Sequence, residues 1–165
     1  MPEIKKAGLA DIEMIRELAC TIWPVAYEKL LTPQQLNYML DLFYSNKALA
    51  TQIHSGHHFI IAYENNHAIG FASYSIKSSN NPEIYRLHKL YVLPGIQKKG
   101  TGRNLLNYII ESIKPLGAKI LELNVNRHNE ALHFYTRLGF TISREEDIDI
   151  GEGYFMNDYV MEKKL

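Results

Sequence analysis

The chain has 165 residues, with 18 Lys plus Arg balancing 18 Asp plus Glu, so no bulk charge argues for nucleic acid. At this length one domain, residues 1–165, buries roughly 70% of its unfolded surface. The single Cys20 excludes an internal disulfide and suits a reducing compartment.

No apolar stretch approaches the ~20 residues of a membrane helix, and the start, Met-Pro-Glu-Ile-Lys-Lys, lacks the apolar core of a signal peptide. The expectation is a cytoplasmic protein without membrane contact, either monomer or homodimer.

In chain order, residues 3–7 form a first strand. Asp11 then caps a helix whose stripe is Ile12, Ile15, Leu18, Ala19 and Ile22, interrupted at Trp23-Pro24. Cys20 falls in this apolar pattern and is read as packing rather than as a nucleophile. Thr32-Pro33 starts a second helix carrying Leu36, Met39, Leu40 and Phe43. Residues 58–63 and 68–76 read as a hairpin around Glu64-Asn65-Asn66-His67. A polar loop is expected over 78–82. Strand 84–93, helix 101–114 and strand 119–125 make a βαβ unit, with Gly117 at the turn. A helix over 129–138 stops at Gly139, and strands 140–148 and 154–161 close the chain as a hairpin. The predicted order is β-α-α-β-β-β-α-β-α-β-β.

The densest chemistry lies at Gln97-Lys98-Lys99-Gly100-Thr101-Gly102-Arg103, between strand and helix. Such a junction aims free N–H groups and the positive end of a helix dipole at one spot, where glycine lets an anion approach. A phosphate or pyrophosphate belongs there. A P-loop is excluded, because Thr101-Gly102 stands where Lys-Ser/Thr should follow Gly95 and Gly100. The dinucleotide fingerprint fails as well, since Gly100-x-Gly102 is followed by Leu105.

Gln97, Gly100 and Gly102 complete a Q/R-x-x-G-x-G/A signature. The segment Asn129-Glu130-Ala131-Leu132-His133-Phe134-Tyr135-Thr136-Arg137-Leu138-Gly139-Phe140 is similar to an N-x-x-A-x-x-F-Y-x-x-x-G-F motif, with one residue fewer between Asn129 and Ala131. Leu90-x-Val92-x-Pro94 precedes the loop. With these the chain resembles the GCN5-related N-acetyltransferase (GNAT) superfamily, most closely over residues 85–140. The resemblance implies an α/β (α+β) fold. Its central sheet is mixed but mostly antiparallel, with six to seven strands, about four flanking helices and a splayed parallel strand pair.

It also implies acetyl-CoA as cosubstrate, held by Gln97, Lys98, Lys99, Gly100, Thr101, Gly102 and Arg103. Backbone groups of Leu90, Tyr91 and Val92 would pair with pantetheine like an added strand. Asn129 would either bond the pantetheine arm or cap its helix. Tyr135, the Tyr of the F-Y pair, would protonate the leaving thiolate, although it can also be read as helix packing. For the base, simple alternation places Arg86, His88, Leu90 and Val92 on one face of the strand, opposite Tyr85, Leu87, Lys89 and Tyr91. His88 is the candidate by pKa class, beside a purely structural reading of it. His54, His57, His58, His128 and His133 match no metal spacing, so no metal is expected.

The acceptor is expected to be a primary amine. In this family the N-terminal helices and the last hairpin shape the acceptor pocket. Here they carry Trp23, Tyr27, Tyr38, Phe43, Tyr44, Tyr154 and Phe155. The same segments carry Glu28, Asp41, Glu145, Glu146, Asp147, Asp149, Glu152 and Asp158. An aromatic floor with an acidic rim suits a small cationic amine, and the chain end resembles PaiA-like polyamine acetyltransferases. A protein N-terminus or lysine, or a non-catalytic acyl-CoA-binding role, are the alternatives.

Overall fold

A computed structural model describes residues 1–165, the side chain of Lys98 excepted. Seven strands, β1 (Glu3–Ala7), β2 (His58–Glu64), β3 (His67–Ser78), β4 (Asn81–Val92), β5 (Ile120–Asn126), β6 (Thr141–Gly151) and β7 (Tyr154–Lys164), form one sheet. Their order is β1-β2-β3-β4-β5-β7-β6. Only β4 and β5 pair in parallel; every other neighbour is antiparallel.

Helices α1 (Ile12–Ala26), α2 (Pro33–Tyr44) and α3 (Asn46–His54) cover one face. Their core joins Ile15, Ile22, Leu49, Phe59, Ile61 and Phe71. Helices α4 (Thr101–Ile113) and α5 (Ala131–Arg137) cover the other face, where Leu105, Leu106 and Ile109 meet Leu121, Leu123 and Phe140. Among the described residues no helix is long and apolar enough to cross a membrane.

Local chemistry sets the boundaries. Asn65 and Asn66 both adopt positive φ, 50° and 65°, as a two-residue hairpin turn demands. Thr32 accepts from the Gln35 N–H at 3.2 Å, with Pro33 as the first helical residue.

Several expectations need correction. Pro24 does not interrupt α1, which runs on to Ala26 with the Tyr27 N–H bonded to the Trp23 carbonyl. The proline sits in the last turn, where its missing N–H deprives only the Cys20 carbonyl, on the exposed side of the helix. Cys20 is itself exposed, so it packs nothing. The loop over 78–82 contracts to a tight turn, because Ser78 already pairs with Asn81.

A fifth helix, α3, joins the four expected. Ser45 ends α2 and starts α3, its hydroxyl accepting from the Ala48 N–H at 3.1 Å.

Candidate active site

Strands β4 and β5 pair only from Ile84 with Ile120 to Leu87 with Leu123. Beyond that point β5 stays with β7 out to Asn126–Asp158, and β4 stays with β3 out to Val92–Gly70. The parallel pair therefore splays. The β5-facing backbone of residues 88–92 is left without a strand partner, ready for an extended ligand. A cavity of about 370 Å³ occupies the opening and continues toward α1 and α2.

A bulge reshapes the strand that lines it. Ser73 faces Lys89 but Tyr74 faces Leu87, so His88 is an extra residue in β4. The simple alternation expected along this strand fails there. Tyr85, Leu87, Leu90 and Val92 all join the core under α4 and α5. Arg86, Lys89 and Tyr91 face the other way, toward the helices α1–α3 and the carboxylates beneath them. His88 bonds Ser75 Oγ through Nε2 at 2.7 Å and stacks on His57 with ring centroids 4.0 Å apart. Burial first, then His57, Lys89 and Arg86, push its imidazole down to about 3. His88 lines the cavity, but such a ring is a poor proton acceptor near neutrality, and the base reading of it does not fit. The other histidines disperse, His58 leaning on Tyr74 at 5.3 Å across the sheet from His57.

Tyr135, on α5, projects from the α4–α5 side and is 8% exposed. It packs edge-on against Phe134 and Phe140 at 5.2 and 5.6 Å. Burial, reinforced by Tyr27, raises its phenol well above the usual value, so it stays protonated. Its hydroxyl has no hydrogen-bond partner among the described residues. On the α1–α3 side Tyr27 and Tyr91 share a 2.8 Å hydroxyl contact under Trp23. The cavity thus passes through the sheet at the splay, joining Tyr135 on one face to the aromatic floor on the other.

Asn129 divides its amide. Oδ1 accepts from the Ala131 N–H at 2.9 Å, so α5 begins two residues later than expected, while the residue lines the cavity. At the far end of the splay, the glycine loop forms a cleft lined by Gln97, Gly100, Arg103, Phe134 and Arg137. Gly100 adopts φ +84°, a conformation glycine takes freely. Gln97 Nε2 donates to the Val92 carbonyl at 3.2 Å, tying the loop to the strand end. Lys98, expected here, has a side chain outside the described residues. Arg137 adds a cation that the motif carried but sequence reading passed over; a basic residue one turn from the F-Y pair is its signal.

Of the acids expected at the rim, only Asp158 lines the cavity. Arg127 pairs with Asp147 at 2.7 Å and Glu145 at 3.9 Å, and Arg144 pairs with Glu146. Tyr38 and Tyr154 pack on each other with tilted rings, centroids 5.2 Å apart, outside the lining. Asp158 is 5% exposed, and burial raises its carboxyl pKa against a 3.3 Å bond from Asn124 Nδ2. Arg86 beside it is neutralised by the fully buried Glu122 at 3.0 Å, which also holds Lys77.

Lys89 is buried with its Nζ donating to Gln52 Oε1 at 2.9 Å, over the rings of Tyr44 and Phe59. Burial pushes this ammonium down to about 8, against roughly 10.4 in an unfolded chain. Below the folded value the cost of the buried charge is complete. From there up to the unfolded value the unfolded chain binds the extra proton, so stability rises with pH. Between pH 7 and 9.5 the gain should be about 2 kcal/mol, and Lys89→Met should abolish it. Urea denaturation of both proteins at the two pH values measures this; equal pH dependence would contradict it.

Comparisons with known proteins agree with this geometry. Residues 28–162 match the family model of the acetyltransferase (GNAT) domain. The chain is 28% identical over 168 residues to a spermidine N(1)-acetyltransferase of Thermoplasma acidophilum, covering 98% of this chain and 96% of that one. It is 25% identical over 158 residues to an uncharacterized N-acetyltransferase of Mycobacterium tuberculosis, covering 95% and 99%. The crystal structure of the PaiA N-acetyltransferase from Thermoplasma acidophilum in complex with coenzyme A aligns with a TM-score of 0.83 at 26% identity. The alignment covers 100% of this chain and 99% of that one. This chain belongs to the GNAT acetyltransferase family and is an acetyl-CoA-dependent N-acetyltransferase.

Proposed function

We propose that the protein, acting as one domain, acetylates a small primary amine seated on the α1–α3 side of the splay. Asp158 would face the amine and Tyr135 the sulfur. The observation that carries this reading is the pair itself: a buried carboxylate and a buried protonated phenol on opposite sides of one cavity. Acetyl-CoA supplies the activated acyl group. The loop 97–103 and Arg137 hold its pyrophosphate, and the free backbone of residues 88–92 holds its pantetheine.

Asp158 pairs with the incoming ammonium, oriented by Asn124, and accepts its proton. Burial lowers the amine's own pKa and raises that of the carboxylate, bringing donor and acceptor closer. The amine nitrogen bonds to the acetyl carbon, the C–S bond breaks, the sulfur takes the Tyr135 proton, and the proton shed by the acylated nitrogen restores the phenol. The thiolate is destabilised in the same dry site, so a phenol raised by burial still has an acceptor raised alongside it. The Val92 N–H or a neighbouring one would face the developing oxyanion.

Walls from α1, α2, β4 and β7 favour a small acceptor over a protein side chain. Within that class the spermidine-acetylating and PaiA relatives support a polyamine. The rim acids that were to grip its distal ammonium lend no support, being drawn to Arg127 and Arg144 or left outside the lining.

Thiol release from acetyl-CoA across a panel of primary amines tests the reading. On the best amine, Asp158→Asn should lower kcat/KM by about 10²-fold with CoA affinity unchanged. A variant within twofold of wild type would remove Asp158 from the reaction.

A further inference from the structure

Glu146 on β6 and Asp158 on β7 stand directly opposite each other in the register of the two strands. Like charges so placed repel and destabilise a sheet, yet this pair is bridged rather than separated. Asn124 Nδ2 donates to Glu146 Oε2 at 3.2 Å and to Asp158 Oδ2 at 3.3 Å. Both carboxylates meet at one nitrogen, well inside the ~8 Å screening length at physiological salt.

The bridge has a fixed orientation. Arg86 donates to Asn124 Oδ1, and a guanidinium has no acceptor to offer. The amide must turn its oxygen to Arg86 and its nitrogen to the acids. Arg86 is itself held by Glu122 Oε1 at 3.0 Å, and Lys77 closes the other oxygen of that buried carboxylate at 3.1 Å. The two bridged acids nevertheless differ. Asp158 is 5% exposed and lines the cavity, with Oδ1 unpartnered among the described residues. Glu146 lies outside the lining, and Arg144 grips its Oε1 through Nε at 3.1 Å and Nη2 at 3.0 Å. Asp158 is also approached by Arg127, bonded to its backbone carbonyl at 3.2 Å, and by Tyr27 on α1.

We propose that Glu146 is a positioning residue for acetyl transfer, acting through the Asn124 amide and its own charge to strengthen Asp158 as acceptor of the amine proton. The inference rests on the reading of Asp158 as the group that takes that proton. Burial raises the Asp158 carboxyl most, the Asn124 bond opposes it, and the Glu146 charge raises it further. The Asn124 bond first, then Arg144, keep Glu146 ionised against its partial burial. Two carboxylates driven apart in proton affinity divide the work: one stays charged and the other takes the proton.

The pH dependence of kcat on the best amine, with acetyl-CoA saturating, tests this. Asp158 must be unprotonated to accept, so it sets the acid limb, and Asp158→Asn should abolish that limb. Glu146→Gln keeps an acceptor for Asn124 but removes the charge, so Asp158 binds its proton less tightly. The limb should move down by about one pH unit, and the plateau should fall about threefold as the base weakens. Glu146→Asp keeps the charge and should hold the limb near its wild-type position. Glu145→Gln removes an equal charge from the neighbouring residue, whose side chain is 64% exposed and on the other face of β6. Its limb should stay in place.

An unmoved or raised limb in Glu146→Gln overturns the inference, as does an equal shift in Glu145→Gln. If Glu146→Gln fails to fold, Arg144→Gln decides. That change strips Glu146 of its cation, so the limb should move up instead, and a limb that does not rise overturns the inference. These failures leave Asp158 as the base. A limb that survives Asp158→Asn would instead remove that reading, and the inference with it.

Discussion

Replacing Tyr135 with phenylalanine is expected to lower kcat by about 10²–10⁴-fold, the usual worth of a positioned general acid. Acetyl-CoA affinity should stay within about twofold. The substitution removes one oxygen that bonds nothing among the described residues and keeps the ring. Its edge-on contacts with Phe134 and Phe140, at 5.2 and 5.6 Å, therefore survive. A purely structural tyrosine would lose little under this change. Single-turnover kinetics isolates the chemical step, and thermal unfolding checks the fold. A loss below about threefold with chemistry rate-limiting would reduce Tyr135 to packing.

Gly102→Glu should weaken CoA binding by about 100-fold or more, since it sets a carboxylate beside the expected pyrophosphate. Sterics contribute as well. A Cβ at Gly102 would lie 3.3 Å from Phe134 Cζ, tight enough to press on the ring next to Tyr135. Gly102→Ala separates the two causes: it carries the steric pressure without the charge and should keep most of the affinity. Calorimetric titration with CoA measures both. Unchanged affinity in a folded Gly102→Glu protein would contradict the placement of the pyrophosphate at this loop.

The residues proposed for the CoA side could be singled out in the sequence because they lie in local segments. A glycine loop between strand and helix, and a segment carrying Asn129 and the Phe134-Tyr135 pair, are contiguous in sequence and keep their spacing in the fold. Those of the acceptor side could not, for three separate reasons. Helix α3 has only Leu49 and Ile53 as its larger apolar residues, and Leu49 alone is buried, too little for a periodic stripe; the cap at Ser45 was the available signal. The bulge at His88 adds one residue without changing composition, yet it reverses which side chains of β4 face the acceptor. Simple alternation thereby set Arg86 and Lys89 on opposite faces, whereas the bulge puts both on the α1–α3 side. The third reason is that acids in one hairpin look alike until their partners are known. Asp158 lies under Asn124 in the cavity wall, whereas Asp147 and Glu146 are held by arginines nearer the surface.

The central claim is that the splay between β4 and β5 brings acetyl-CoA from the α4–α5 side to an amine on the other. A crystal structure of the protein with coenzyme A tests it most directly. The account predicts pyrophosphate oxygens on the backbone of the 97–103 loop and pantetheine amides paired with residues 88–92. It also predicts the sulfur within about 3.5 Å of the Tyr135 hydroxyl, with the open end of the thiol facing Asp158. Coenzyme A bound with its sulfur remote from Tyr135, or with the splay left empty, would contradict it.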